Sequence, residues 1–128
     1  MKDQAEAWMR GYLLAWSTDA PNDIAALFTE DAIYRPGPFE EPWEGRDSIV
    51  REWIAAGDSS IEWSFEYEVV ANEGGTFVIA GITEYPVGVG PTHKSAATYA
   101  NVWIVHLAKD GRASEFTEYW MAQGDDSA

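Results

Sequence analysis

No cysteine occurs among the 128 residues of this chain, so neither a disulfide framework nor a thiolate metal site can form, and the redox compartment is left open. Basic residues are scarce as well. Eight lysines and arginines stand against twenty-two acidic residues, for a net charge of -14, and Lys2, Arg10, Arg35, Arg46, Arg51, Lys94, Lys109 and Arg112 are scattered along the chain. Such a balance repels phosphate backbones and anionic lipid, which argues against nucleic acid and membrane partners. No apolar run approaches the roughly 18 residues of a membrane span, and the opening MKDQAEAW is polar, so neither a span nor a signal peptide is expected and a cytoplasmic protein follows by default. The two histidines, His93 and His106, lie apart and no carboxylates cluster at ligand spacing, so no metal is expected. Nothing in the residues calls for a cofactor.

What the chain has in excess is aromatic surface. Seven tryptophans, six tyrosines and five phenylalanines are more than a core of this size needs, which points to an aromatic-lined cavity or interface. The length suits one domain over residues 1–128, with 123–128 as a polar tail.

Apolar residues at Trp8, Met9, Tyr12, Leu13 and Trp16 form one helical stripe, so a first helix is expected over Asp3 to Ser17. Pro21 suits a first helical turn, and Ile24, Leu27 and Phe28 extend a second helix to about Glu30. A brief strand, Ala32 to Arg35, follows. PGPFEEPWEG reads as loop, and Arg46 to Ala56 as a third helix that buries Ile49, Val50, Trp53 and Ile54 and stops at Gly57. The period then drops to two: Ile61, Trp63, Phe65, Tyr67 and Val69 alternate with polar residues. After a turn at Asn72 to Gly75, strands are expected over Thr76 to Pro86, Ser95 to Ala108 and beyond Asp110-Gly111, with a Gly/Pro-rich loop from Val87 to His93. Helices followed by an antiparallel meander predict an α+β fold: a cone-shaped barrel in which three N-terminal helices pack in the concave face of a curved sheet.

The last hairpin raises the functional question. A two-residue turn at Asp110-Gly111 pairs Lys109 with Arg112, sets Val105 opposite Phe116, Trp103 opposite Glu118 and Asn101 opposite Trp120, and places these with Tyr99 on one face. A three-residue loop with a bulge at Gly111 would instead set Glu118 beside Val102. The first register is preferred because it also groups His106 with Glu115 on the opposite face.

With IAALFTEDAIY, EGRDSI and YANVWIVHLAKDGRASEFTEYW, nearly the whole chain resembles the nuclear transport factor 2-like superfamily, and within it the SnoaL-like domains. That resemblance implies the cone fold and a homodimer through the sheet. It also implies a choice of functions, since the superfamily includes polyketide cyclases, ketosteroid isomerases, epoxide hydrolases, scytalone dehydratases, phenazine-pathway proteins and binding modules. Glu118 falls where an acid or base stands in the epoxide hydrolases and phenazine-pathway proteins. Tyr12 falls where the isomerases keep an oxyanion-donating tyrosine. The isomerase base, however, would lie at Pro36 and its second donor near Trp103, and TEYPV offers no arginine for a hydrolase site.

Glu118 and Tyr12 are therefore the candidate catalytic residues, and Trp16, Tyr34, Trp53, Asn101, Trp103, Phe116 and Trp120 the candidates for binding a small hydrophobic ligand. An apolar shell would raise the Glu118 pKa and fit it for proton transfer, with Asn101 or Tyr12 as its neutral partner. Each has a bland alternative: a solvated or cross-strand role for Glu118, core packing for Tyr12 and Trp16, backbone satisfaction for Asn101. Glu84 is open between the pocket and the outer face. His106 is expected on the surface or at a dimer contact, His93 in a loop, and Glu40-Glu41 and Asp125-Asp126 as solvated charge. Val102 and Ile104 are too apolar for an outer face in water, which suggests the dimer. Two functional classes follow: a cofactor-independent cyclase, isomerase, dehydratase or hydrolase, or a non-catalytic ligand-binding or dimeric interaction module.

Overall fold

The structure, a computed structural model, describes residues 2–56, 63–85 and 97–123. The first helix, α1, spans Lys2–Thr18 and buries Trp8, Met9 and Tyr12 of the expected stripe together with Ala5 and Ala15, while Leu13 and Trp16 are half-buried. It ends at Asp19, whose left-handed φ of 52° lets its N–H donate back to the Ala15 carbonyl at 2.8 Å, a conformation that aspartate tolerates better than most residues.

The second helix is shorter than the periodicity predicts. α2 covers only Pro21–Ala25, and strand β1 begins at Phe28 and runs to Arg35. Tertiary pairing decides this boundary: Phe28 pairs with Ala113, whose N–H donates to the Leu27 carbonyl at 2.7 Å, so residues with a helical apolar spacing are drawn into a sheet. Within the expected loop, Trp43–Glu44 forms a two-residue strand, β2, antiparallel to β1. Trp43 stacks on Tyr34 with centroids 4.6 Å apart, which supplies the contact that local sequence does not show. Helix α3, Arg46–Ala56, buries Ile49 and Trp53, but Ile54 is 41% exposed, so its buried stripe is narrower than expected.

Strands β3 (Ser64–Glu73), β4 (Thr76–Tyr85), β5 (Ala97–Leu107) and β6 (Ala113–Ala122) complete a six-stranded sheet in the order β2-β1-β6-β5-β4-β3. Only β1 and β6 are parallel. Strand β3 extends past the expected end at Val69 because Val70 is skipped in the pairing, and Gly74 and Gly75, both at positive φ, make a tight turn between Glu73 and Thr76. The curved, unclosed sheet wraps the helices in the cone of the α+β fold. Trp8, Phe28, Phe77, Ile79, Val105 and Phe116 fill the buried end, and Trp8 is tied down by its indole N–H donating to the Leu27 carbonyl at 2.9 Å. Among the described residues no helix is long and apolar enough to cross a membrane.

Candidate active site

The β5–β6 hairpin adopts the preferred register by a different route. Ala108, not Lys109, bonds to Arg112, closing a three-residue turn with Gly111 at φ 89°. The pairing then shifts by one, from Leu107 with Ala113 to His106 with Glu115, leaving Ser114 as an extra residue. The two displacements cancel. Val105 lies opposite Phe116, Trp103 opposite Glu118 and Asn101 opposite Trp120.

Beyond the filled end, the cone holds a cavity of about 410 Å³. Its size suits a small molecule. Tyr12 and Trp16 from α1, Trp53 from α3, Tyr34 from β1, Asn101 and Trp103 from β5, and Glu118 and Trp120 from β6 line it. Phe116 does not reach the cavity. It is fully buried beneath it, stacked on Tyr34 at 4.3 Å and Tyr12 at 5.5 Å, because its partner Val105 sits one pair deeper in the cone than Trp103.

The polar centre is a chain across three strands. Thr83 of β4 donates from Oγ1 to Asn101 Oδ1 at 2.8 Å, and Asn101 Nδ2 donates to Glu118 Oε2 at 2.6 Å. Thr83 and Asn101 are buried. Of the two partners expected for Glu118, Asn101 is the bonded one; the Tyr12 hydroxyl instead bonds the Tyr34 hydroxyl at 2.7 Å. Burial raises the Glu118 pKa above the ordinary carboxylate range, opposed by the nearby Trp103 indole N–H and the Asn101 amide and assisted by the negative charge of Glu40. Tyr12 is held well above the usual phenol range, chiefly by burial, then by Tyr34 and Glu118, so at neutral pH it is a hydrogen-bonding hydroxyl and not a base.

Several lining residues went unrecognised in the sequence. Thr83 and Tyr85 share the inner face of β4 with Phe77 and Ile79, and strand alternation alone could have found them. The same alternation turns Glu84 outward, where it is exposed between Ser64 and Thr98. Glu40, expected as plain solvated charge, is exposed but borders the cavity, together with Pro36 and Trp43. Asp19 accepts from Trp53 Nε1 at 3.1 Å at the α1 end of the wall. His106 is on the outer face, bonded to Thr76 Oγ1 at 2.8 Å and 3.6 Å from Glu115. His93, Asp125 and Asp126 lie outside the described residues. Among the described residues no group of histidines and carboxylates is arranged to hold a metal ion.

Similar architecture occurs in solved structures. The epoxide hydrolase/cyclase-like enzyme SalBIII, described for its role in pyran ring formation in the polyether salinomycin, superposes with a TM-score of 0.71 at 17% identity, covering 94% of this chain and 89% of that one. A ketosteroid isomerase-like protein from Erwinia carotovora atroseptica gives a TM-score of 0.64 at 18% identity, covering 92% and 94%. A search of curated proteins finds no match. The profile of the SnoaL-like domain matches residues 9–116, and with the cone and its cavity in place the chain belongs to the SnoaL-like domain family within the nuclear transport factor 2-like superfamily.

Proposed function

We propose that this protein is a cofactor-independent acid/base enzyme acting on a small, largely apolar molecule, with Glu118 as the group that moves the proton. The observation that carries this reading is a carboxyl group on a cavity wall whose pKa is raised by burial while Asn101 holds one of its oxygens. A carboxyl group with a raised pKa can be partly protonated nearer neutral pH, which suits general acid or base work. Aromatic walls supply binding and exclude water, and Tyr12 and Tyr34, joined through their hydroxyls, are among the lining residues. Enolisation, elimination or proton-assisted ring closure needs no more than one such group together with a desolvated substrate. The SalBIII comparison is consistent with the last of these.

A second reading is non-catalytic ligand binding. It is favoured by Pro36, which borders the cavity where the resemblance would put the isomerase base, and by Thr83 and Tyr85 on the wall of β4 with no arginine. Glu118→Gln separates the two, because it keeps shape and hydrogen bonding but removes titration. After native mass spectrometry identifies a co-purifying molecule, the variant is expected to bind it within a fewfold of wild type and to lose about 100-fold to 10,000-fold in turnover. Unchanged turnover of a converted substrate would remove Glu118 from the mechanism; binding with no turnover by either protein would favour the second reading.

For the assembly, the exposed Ile82, Val102, Tyr119 and Met121 support a homodimer through the outer face of the sheet.

A further inference from the structure

The cavity is lined by one sign of charge. Three carboxylates, Asp19, Glu40 and Glu118, border it together with nine aromatic rings, and among the described residues on its wall there is no lysine, arginine or histidine. The arginines bond elsewhere: Arg35 to Thr117 and Glu115, Arg46 to the Phe28 carbonyl, Arg51 to Ser48 and Arg112 to Asp110. A cleft with low-dielectric walls and charge of a single sign focuses the field inside it. Glu118 already registers that field, since burial raises its pKa and the Glu40 charge raises it further.

At one end of β4, β5 and β6 the lining rings meet at corners. Tyr99 lies 6.0 Å from Tyr85 at an interplanar angle of 86° and 5.8 Å from Trp120 at 70°, so the three present faces in more than one direction instead of stacking. A cation lodged at such a corner can stand within the roughly 6 Å of several ring centroids over which the ring quadrupole attracts it. The turn in which the Glu40 N–H donates to the Gly37 carbonyl at 3.2 Å brings a carboxylate to the same place. A Cβ on Gly37 would stand 2.9 Å from Glu40 Oε2 and 3.3 Å from Trp120 Nε1, so carboxyl and indole converge over that glycine. Trp120 is 48% exposed and Glu40 is exposed, so both are reached from solvent.

We propose that this pocket takes a cationic ligand, an ammonium group carried on an apolar body, with the charge seated at the Tyr99–Trp120 corner beside Glu40 and the body between the aromatic walls. This rests on the ligand-pocket reading above and deepens it, converting a generally apolar ligand into an amine or quaternary ammonium with a defined orientation. The rings take the place of water around the charge and attract it through their quadrupoles, while Glu40 supplies the opposite charge. A cation there also offsets the Glu40 charge felt by Glu118, so its arrival raises the ionised, proton-accepting fraction of Glu118.

The test uses phenyltrimethylammonium and tert-butylbenzene, which share a shape and differ by one positive charge. Tryptophan fluorescence measures binding, and nitrogen-15 NMR follows the indole signals, with Trp120 identified through Trp120→Phe. The ammonium is expected to bind on the order of tenfold tighter in about 0.15 M salt and to shift the Trp120 signal. Glu40→Gln should weaken the ammonium by about twofold to fivefold and leave the hydrocarbon unchanged. Glu73→Gln makes the same change of net charge at an exposed position that does not line the cavity, and should alter neither affinity. Equal affinities of the two compounds, a stationary Trp120 signal when the ammonium binds, or equal weakening by the two variants overturns the cation site and leaves the pocket reading standing. Failure of both compounds to bind overturns the two together.

Discussion

Replacing Thr83 with valine tests the polar chain at the end farthest from Glu118. The substitution nearly conserves volume and exchanges a hydroxyl for a methyl at a position 3% exposed. Asn101, itself 6% exposed, loses the donor that lies 2.8 Å from its Oδ1. Leaving a buried acceptor unpaired costs about 1–3 kcal/mol, while the added methyl returns up to about 0.8 kcal/mol of apolar burial. The net expectation is destabilisation by about 1–2 kcal/mol, or a Tm lower by about 4–8 °C for a domain of this size. Urea unfolding at pH 7 and fixed protein concentration measures it. The decisive control is the same substitution in an Asn101→Ala background, where the acceptor is already gone and Thr83→Val should be neutral or mildly stabilising. A double-mutant coupling of about 1–2 kcal/mol would support the chain; a cost for Thr83→Val that is the same in both backgrounds, within about 0.3–0.5 kcal/mol, would refute it. Loosening Asn101 also weakens a donor that favours charged Glu118, so the pKa of Glu118 should rise further, visible as an upward displacement of its titration by NMR.

Stability should also report on Glu118 directly. Because its folded pKa lies above the ordinary value of 4.5, the native state binds more protons than the unfolded chain between those two values, so stability falls as pH rises through that window and is level above it. Glu118→Gln should remove that decline in urea midpoints taken from about pH 4 to pH 8; a decline of the same size in the variant would assign it to other groups. Gly81→Ala would place a Cβ 2.7 Å from the Phe65 ring and 3.0 Å from the Glu66 carbonyl oxygen, so a loss of about 1–3 kcal/mol is expected from overpacking, and an unchanged urea midpoint would show that β3 yields freely. Val102→Glu sets a charge in the exposed outer patch, where Val102 is 41% and Met121 70% exposed. Sedimentation should show a dimer becoming a monomer, and a wild-type monomer would refute the sheet-face dimer.

Local pattern and long-range pairing divided what could be read from the residues. Helix α1 was legible because its buried stripe repeats over several turns, and the face of the last hairpin was legible because alternation ties Phe116, Glu118 and Trp120 together. The exact turn was not, since a three-residue loop and a skipped Ser114 together reproduce the register of a two-residue loop. Where pairing crosses the chain, local spacing misled: Leu27 and Phe28 repeat like a helix, but the start of β6 draws them into strand β1. The candidate site divides in the same way. Glu118 stood out because an acid amid aromatics is chemically unusual, whereas Thr83 drew no notice beside the more conspicuous Glu84, although the alternation of β4 turns Thr83 inward. Sequence could place Asn101 near Glu118 through one hairpin, but the Thr83 contact requires the β4–β5 register, which no turn motif announces.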